Sequence, residues 1–159
     1  MRVLAIDPGF GRCGLAILEG DATHPQLIFS TCVETKSTTD FSLRLLDVGN
    51  NIVQAIKDYQ PEQIAIEELY FSNNQKTAFA VAEARGMILY IAAVHQIPLV
   101  EFNPMSVKVA VTGYGRANKT DVTSMVKRLV HITDAVRKDD EYDAIAVGIT
   151  ALAHARVPK

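Results

Sequence analysis

The sequence lacks the features of a membrane-spanning or secreted protein. No apolar stretch among its 159 residues is long enough to cross a bilayer. The N-terminus runs into an apolar segment without the pattern of a signal peptide. Cysteine is scarce, since Cys13 and Cys32 are the only two and their spacing fits no metal site. We therefore expect one cytoplasmic domain over residues 1–159, with both thiols reduced and buried.

The chain also lacks the overall positive charge that is typical of nucleic-acid-binding proteins. Its formal net charge is −2 and its pI is near 6.1. The distribution is uneven, however: residues 1–100 carry −4, residues 101–138 carry +4 and residues 139–159 carry −2. A basic segment in an acidic chain can form a phosphate-binding face. The alternative is a set of solvated charges on helix surfaces, and charge alone leaves both open.

Apolar patterning predicts three strands, followed by strands that alternate with helices. Segments 2–7, 13–18 and 26–34 have short connections and predict an antiparallel meander. Apolar residues at helical spacing predict a helix that ends near residue 59. Further strands are expected at 63–68 and 98–102, and further helices at 72–96, 104–111, 120–130 and 139–155. This order is typical of an α/β fold with a mixed five-stranded sheet flanked by helices.

One short pattern occurs twice, and in each copy it ends in a carboxylate. Residues 4–7 read LAID and residues 64–67 read IAIE. If these segments are adjacent parallel strands, Asp7 and Glu67 lie on the same face at the same height. Two neighbouring carboxylates repel each other, and a divalent cation removes that repulsion. An Asp-Pro-Gly turn is the alternative role for Asp7, whereas a buried Glu67 is costly without a partner.

A second acidic cluster opens the last predicted helix. Asp143 shares a helix face with Asp140 and almost as well with Asp139, so periodicity does not choose between them. Acidic residues that balance the helix dipole are the alternative. None of the four histidines has a partner at metal-ligand spacing. Oxygen ligands alone point to magnesium or manganese, and carboxylates around two cations suit phosphodiester hydrolysis.

Five motifs in order carry a resemblance to a known family. They are IDPG at 6–9, AIE at 65–67, EARG at 83–86, GYGRANK at 113–119 and DEYDA at 140–144. With these motifs the chain resembles the RuvC family of Holliday junction resolvases over nearly its whole length. The resemblance implies an RNase H-like fold and a homodimeric endonuclease that cleaves four-way junction DNA. Departures from the family pattern at Cys13 and Ala16 concern local packing.

The resemblance also implies the site residues. The family pattern of Asp, two residues, Asp and Ala falls on Asp140 and Asp143, which with Asp7 and Glu67 would be the catalytic and metal-binding set. Two Mg²⁺ ions per site are implied, with Mn²⁺ as a substitute. Lys108 and Lys119 are expected near the scissile phosphate, and Arg116 of the same basic segment as a further DNA contact. Tyr70 is expected to stack on junction bases, the alternative being a cap on the core.

The expected partners follow from the same resemblance. Small residues recur at Ala78, Ala82 and Gly86 on the long predicted helix and let another helix approach closely. That helix belongs either to a second copy of the chain or to its own fold, and we take the stripe as the candidate dimer interface. A branch-migration motor is a further possible partner. The rival functions are an RNase H-like nuclease for structured RNA and a non-catalytic junction-binding module.

Overall fold

The computed structural model describes residues 1–68, 75–132 and 138–155. Its elements follow the predicted order and differ from the expected bounds by a few residues at most. They are β1 (Arg2–Asp7), β2 (Arg12–Glu19), β3 (Gln26–Glu34), α1 (Phe41–Tyr59), β4 (Gln63–Glu67), α2 (Gln75–Val94), β5 (Leu99–Phe102), α3 (Pro104–Thr112), α4 (Lys119–Leu129) and α5 (Asp139–His154). No helix in these ranges has both the length and the apolar character that crossing a membrane requires.

The strands of the described residues form one mixed sheet in the order β3-β2-β1-β4-β5. β1 pairs antiparallel with β2, and β2 with β3, as the short connections predict. β4 lies parallel to β1 and to β5, with a helix in each crossover. Leu4 is opposite Ile64 and Ile6 is opposite Ile66 in the ladder. The predicted sheet and the predicted register of the two matched segments are therefore confirmed.

The two faces of the sheet carry side chains of different size, because strand residues alternate between faces. One face, here called the large-residue face, packs against α1 and α2. The other, the small-residue face, packs against α5. The large-residue face is formed by Leu4, Ile6, Leu15, Ile17, Ile64 and Ile66. Ala5, Ala16 and Ala65 lie at the centre of the small-residue face, with Gly14 beneath the first turn of α5.

Glycine allows α5 to lie directly on the small-residue face. A Cβ atom at Gly14 would overlap the carbonyl oxygen of Asp140 and lie 3.2 Å from Cβ of Ala144. A Cβ atom at Gly148 would overlap Cδ1 of Leu18. There is therefore no room for a side chain at position 14 beneath the first turn of α5, nor at position 148 in the third turn, where the Leu18 side chain lies beneath the helix. This contact fixes the height of the N-terminus of α5 above the sheet.

The EARG motif and the cysteines have structural positions. Arg85 of α2 donates from Nη2 to Oε2 of Glu101 on β5 at 2.7 Å, which ties the helix to an edge strand of the described sheet. Cys13 and Cys32 are free cysteines, as expected. Cys13 is buried as predicted, whereas Cys32 is only half-buried, so the prediction of two buried thiols is wrong for Cys32. Cys13 is opposite Val33 and Gly14 is opposite Cys32, so the two thiols face opposite sides of the sheet.

Candidate active site

Two of the predicted acids end neighbouring parallel strands. Asp7 is the last residue of β1 and Glu67 is the last residue of β4. Each directly follows a member of the Ile6–Ile66 pair, so both side chains leave the same edge of the sheet on the small-residue face. Asp7 is also opposite Gly14 in the β1–β2 ladder. The sheet therefore delivers two carboxylates to the place where α5 begins.

The N-terminus of α5 brings two more carboxylates to that edge. Asp140 and Asp143 are one turn apart, and their side chains are 17% and 32% exposed. Asp139, which periodicity alone did not separate from Asp140, is 70% exposed. Nε of Arg12 lies 3.4 Å from Oδ2 of Asp140, but this buried oxygen accepts no hydrogen bond from the described residues. A buried carboxylate oxygen without a donor is costly, and a cation would relieve that cost.

The four carboxyl groups act on one another electrostatically. Burial, followed by the charges of Asp143, Glu67 and Asp140, raises the pKa of Asp7 from 3.8 to about 8. Burial and the charge of Asp143 raise the pKa of Glu67, partly offset by Lys108 and Lys119. Burial raises the pKa of Asp143 as well, partly offset by its hydrogen bond with Lys119. Acids from three distant segments thus share one site, where positive charge is needed to offset their repulsion.

Lys119 supplies part of that charge. It is the first residue of α4, whose start is fixed by a capping box in which the side chains of Asn118 and Asp121 each accept from the other's backbone N–H. Its Nζ donates to Oδ2 of Asp143 at 3.1 Å and lies 3.4 Å from Oδ2 of Asp139. Burial lowers the pKa of Lys119, but the interactions with Asp143 and Asp139 more than offset it, so the pKa is raised.

A cleft of about 220 Å³ is lined by two of these acids and by both predicted lysines. Its charged lining consists of Glu67, Asp143, Lys108 of α3 and Lys119 of α4, and does not include Asp7 or Asp140. The remaining wall is mostly apolar: Pro104, Val107, Val122 and Ala146. A cleft with acids beside cations can hold a phosphate group together with the metal ions that neutralise it. Arg116 is exposed in the connection between α3 and α4 and is not among the cleft-lining residues.

The donor set fits hard cations, although the side chains are not arranged as a ligand cage. Within residues 1–68, 75–132 and 138–155, no three potential ligands are grouped closely enough to hold a metal ion. Asp143 is instead paired with Lys119, and Arg12 lies beside Asp140. The donors are carboxylate oxygens only, which Mg²⁺ and Mn²⁺ prefer. Together with the orphaned oxygen of Asp140, this chemistry fits a metal site that forms when cations displace the basic side chains.

Sequence reasoning missed two residues of this region. Arg12 has no recognisable motif, although the β1–β2 hairpin carries it toward Asp140. Gly14 stands out in the sequence only as the neighbour of the departure at Cys13, whereas it makes the room for α5. A signal for Gly14 was available, because Gly14 is the hairpin partner of Asp7. Tyr70, the predicted stacking residue, lies outside the described residues.

Comparison with known proteins agrees with this geometry. The family model for the crossover junction endodeoxyribonuclease RuvC matches residues 3–151. The chain belongs to the RuvC family. A RuvC relative from Caldicellulosiruptor saccharolyticus is 41% identical over 150 residues, which cover 94% of this chain and 90% of the relative.

Solved structures extend the comparison to the fold. The structure of T. thermophilus RuvC in complex with a Holliday junction substrate has a TM-score of 0.89 at 29% identity, and the match covers 94% of this chain and 92% of that chain. The yeast mitochondrial Holliday junction resolvase has a TM-score of 0.70 at 15% identity, with 95% and 77% covered, and therefore shows a shared fold only. The predicted RNase H-like fold of RuvC resolvases is confirmed.

Proposed function

We propose that this RuvC endonuclease resolves four-way DNA junctions, and that Asp7, Glu67, Asp140 and Asp143 are its metal-binding catalytic carboxylates. The family is one of crossover junction endodeoxyribonucleases, and a relative of similar structure was solved with a Holliday junction substrate. The assignment of these residues rests on the electrostatic effect of the other three acids on the pKa of Asp7. Burial and the charges of Asp143, Glu67 and Asp140 raise the pKa of Asp7 to about 8.

We propose Mg²⁺ as the cofactor, with two ions per site and Mn²⁺ as a substitute. Such ions, when bound, make a water molecule more nucleophilic and stabilise the charge on the leaving oxygen. The oxygen-only donor set supports this choice. Asp140 is the acid whose oxygen lacks a donor among the described residues. Lys119 occupies Oδ2 of Asp143 at 3.1 Å, so a cation on that oxygen would compete with the lysine.

Lys119 and Lys108 have complementary tasks in this proposal. Lys119 lines the cleft and would bind the scissile phosphate if Asp143 held a cation in place of the lysine. Lys108 faces the same cleft from α3 and can stabilise the negative charge that grows on the phosphate in the transition state. Arg116 is exposed and lies on the connection between the elements that carry the two lysines, so we propose that it binds the DNA backbone. Stacking by Tyr70 on junction bases stays a prediction.

We propose a homodimer built on α2, because a two-fold dimer presents identical sites to two equivalent strands. Phe79, Tyr90 and Val94 are 77%, 69% and 57% exposed. Their spacing places them on one face of α2 with Gly86, where an added Cβ atom would meet no heavy atom within 4 Å. An exposed apolar face of this kind is typical of an interface. A single domain, a cytoplasmic location and a branch-migration motor as partner also stay predictions.

Light scattering tests the dimer. Ala82 is half-buried on α2 beside this face, so Ala82→Trp should disrupt a close helix–helix contact and give a monomer. Leu46→Trp, on the exposed side of α1, is the matched control and should leave the mass unchanged. A dimer that persists in Ala82→Trp would show that α2 does not form the interface.

Cleavage of a synthetic four-way junction tests the catalytic assignment. With Mg²⁺ the wild type should make paired nicks, and Asp7→Asn should lower the rate by roughly 10²-fold or more while DNA binding is kept. The control is Asp47→Asn, since Asp47 is exposed on α1, and it should cleave like the wild type. Wild-type cleavage by Asp7→Asn, or a preference for structured RNA over the junction, would contradict the proposal.

A further inference from the structure

An exposed aromatic ring lies on the connection between α3 and α4 and has no role in the function proposed above. Tyr114 is 60% exposed, and the nearby helix α3 exposes Met105 and Val109, at 65% and 49%. Gly115 rests on this helix, because a Cβ atom there would lie 3.0 Å from Cγ of Met105 and 3.3 Å from Cγ2 of Val109. The connection therefore follows the surface of α3 and presents Tyr114 beside an apolar patch.

The backbone that carries the ring is held in place. The N–H of Tyr114 donates to Oγ1 of Thr112 at 3.1 Å, and its carbonyl oxygen accepts from the N–H of Ala117 at 3.0 Å. Gly113 takes the left-handed conformation, with φ at 74°, that ends α3. A ring that is exposed on a fixed backbone loses little conformational entropy when it binds a partner.

The connection that carries the ring joins the two helices that carry the cleft lysines. Oγ1 of Thr112 also donates to the carbonyl oxygen of Lys108 at 2.8 Å, and Lys119 begins α4 at the other end of the connection. Both lysines line the cleft that contains Glu67 and Asp143. Arg116, two residues after Tyr114, is exposed. An exposed aromatic ring on a loop flanked by basic residues is an arrangement by which proteins hold single-stranded nucleic acid.

We propose that Tyr114 stacks on an unstacked nucleobase of the junction and is thus a further DNA-binding residue. This inference rests on the proposed function, since the two lysines place the scissile strand in the cleft. A base inside a linear duplex is stacked on its neighbours and offers no free face, whereas a base at a branch point can expose a face to an aromatic ring. The ring would hold such a base on the α3–α4 side of the cleft.

A fluorescence experiment tests the contact directly. The chain has no tryptophan, so Tyr114→Trp introduces the only indole, and stacking on a base quenches indole emission. The measurement uses four-way junction DNA in the Asp7→Asn background, which keeps the DNA intact. We expect quenching with the junction, little quenching with a linear duplex of the same sequence, and none in the control Leu46→Trp, whose position is 56% exposed on α1.

A second set of variants separates stacking from general apolar contact. Tyr114→Phe keeps the ring and should bind the junction within about twofold of the wild type, whereas Tyr114→Leu should bind roughly tenfold more weakly in a mobility-shift assay. Absence of quenching at full junction affinity, equal quenching by the linear duplex, or quenching on self-association without DNA would each overturn the inference. If the Leu46→Trp control also fails to bind junctions, the proposed function fails with it.

Discussion

The large-residue face and the small-residue face of the sheet pack against their helices in different ways. On the large-residue face, leucine and isoleucine side chains from β1, β2 and β4 interlock with Val48 and Ile52 of α1. On the small-residue face, the short side chains of Ala5, Ala16 and Ala65 allow α5 to lie close to the strands. All the carboxylates of the candidate active site come from the small-residue face or from α5. Large side chains bury more apolar area, and small ones let backbones approach.

The difference shows how this fold separates stability from function. A helix held off by large side chains would place Asp140 and Asp143 farther from Asp7 and Glu67. The alanines at the centre of the small-residue face give a fixed, short separation between α5 and the strands. This face also contains the repulsion between the carboxylates, which the large-residue face does not have. Four substitutions test this division of roles.

The largest effect is expected for Gly14→Ala. The new Cβ atom would overlap the carbonyl oxygen of Asp140, so the start of α5 must shift away from Asp7. Cleavage of a four-way junction should fall by about 100-fold or more, and the free energy of unfolding should fall by about 2–4 kcal/mol. Junction cleavage and thermal unfolding measure the two effects. A variant that is destabilised yet cleaves at the wild-type rate would show that Gly14 does not determine the geometry of the site.

Ile52→Ala is the counterpart on the large-residue face. Ile52 is fully buried on α1, and the cavity left by its truncation should cost about 2–4 kcal/mol of stability. At temperatures where the variant is folded, however, its cleavage rate should match that of the wild type. A chemical denaturation curve and a cleavage assay at the same temperature provide the comparison. Loss of cleavage equal to that of Gly14→Ala would show that the two faces are not functionally distinct.

Asp7→Asn should stabilise the metal-free protein while it removes cleavage. The pKa of Asp7 is raised from 3.8 to about 8 in the folded state, so between these values the folded state binds a proton that the unfolded state has lost. Stability therefore falls as the pH rises through this window. Relative to the wild type, the free energy of unfolding of the asparagine variant should be higher by about 1–3 kcal/mol near pH 9 in EDTA and unchanged near pH 4.

The control for this gain is Asp47→Asn, an exposed site on α1. Its melting temperature should follow that of the wild type at every pH. Mg²⁺ should raise the melting temperature of the wild type more than that of Asp7→Asn, because the cation offsets the same repulsion. A gain in the asparagine variant that is equal at both ends of the pH range would point to a cause other than ionisation of Asp7.

The smallest effect is expected for Gly148→Ala, in the third turn of α5. The new methyl group meets Cδ1 of Leu18, the end of a side chain rather than backbone. The overlap should cost more than the helix gains from alanine, with a net loss of about 1 kcal/mol. Because Gly148 is two turns from Asp140, cleavage should change by less than about threefold. A loss as severe as that of Gly14→Ala would show that the whole helix, rather than its first turn, sets the site.

Much of the fold could be predicted from the sequence because its signals are local. Alternating and helical apolar patterns identified the strands and helices, and the matched segments 4–7 and 64–67 gave the parallel register of β1 and β4. The same register placed Asp7 and Glu67 together. For α5, periodicity left Asp139 and Asp140 open, and only the resemblance to RuvC resolvases selected Asp140. Burial agrees with that choice, since Asp140 is 17% exposed and Asp139 is 70% exposed.

By itself, then, the sequence determined the order of the elements, the pairing of β1 with β4 and the acids that end these two strands. Tertiary structure alone decided that Gly14 makes room for α5, that Lys119 is paired with Asp143, and that Arg12 lies beside Asp140. Periodicity is a property of neighbouring residues, so it can be read along the chain. Outside matched strands such as β1 and β4, the distance between two side chains from remote segments depends on how the intervening elements pack, and no local pattern contains it.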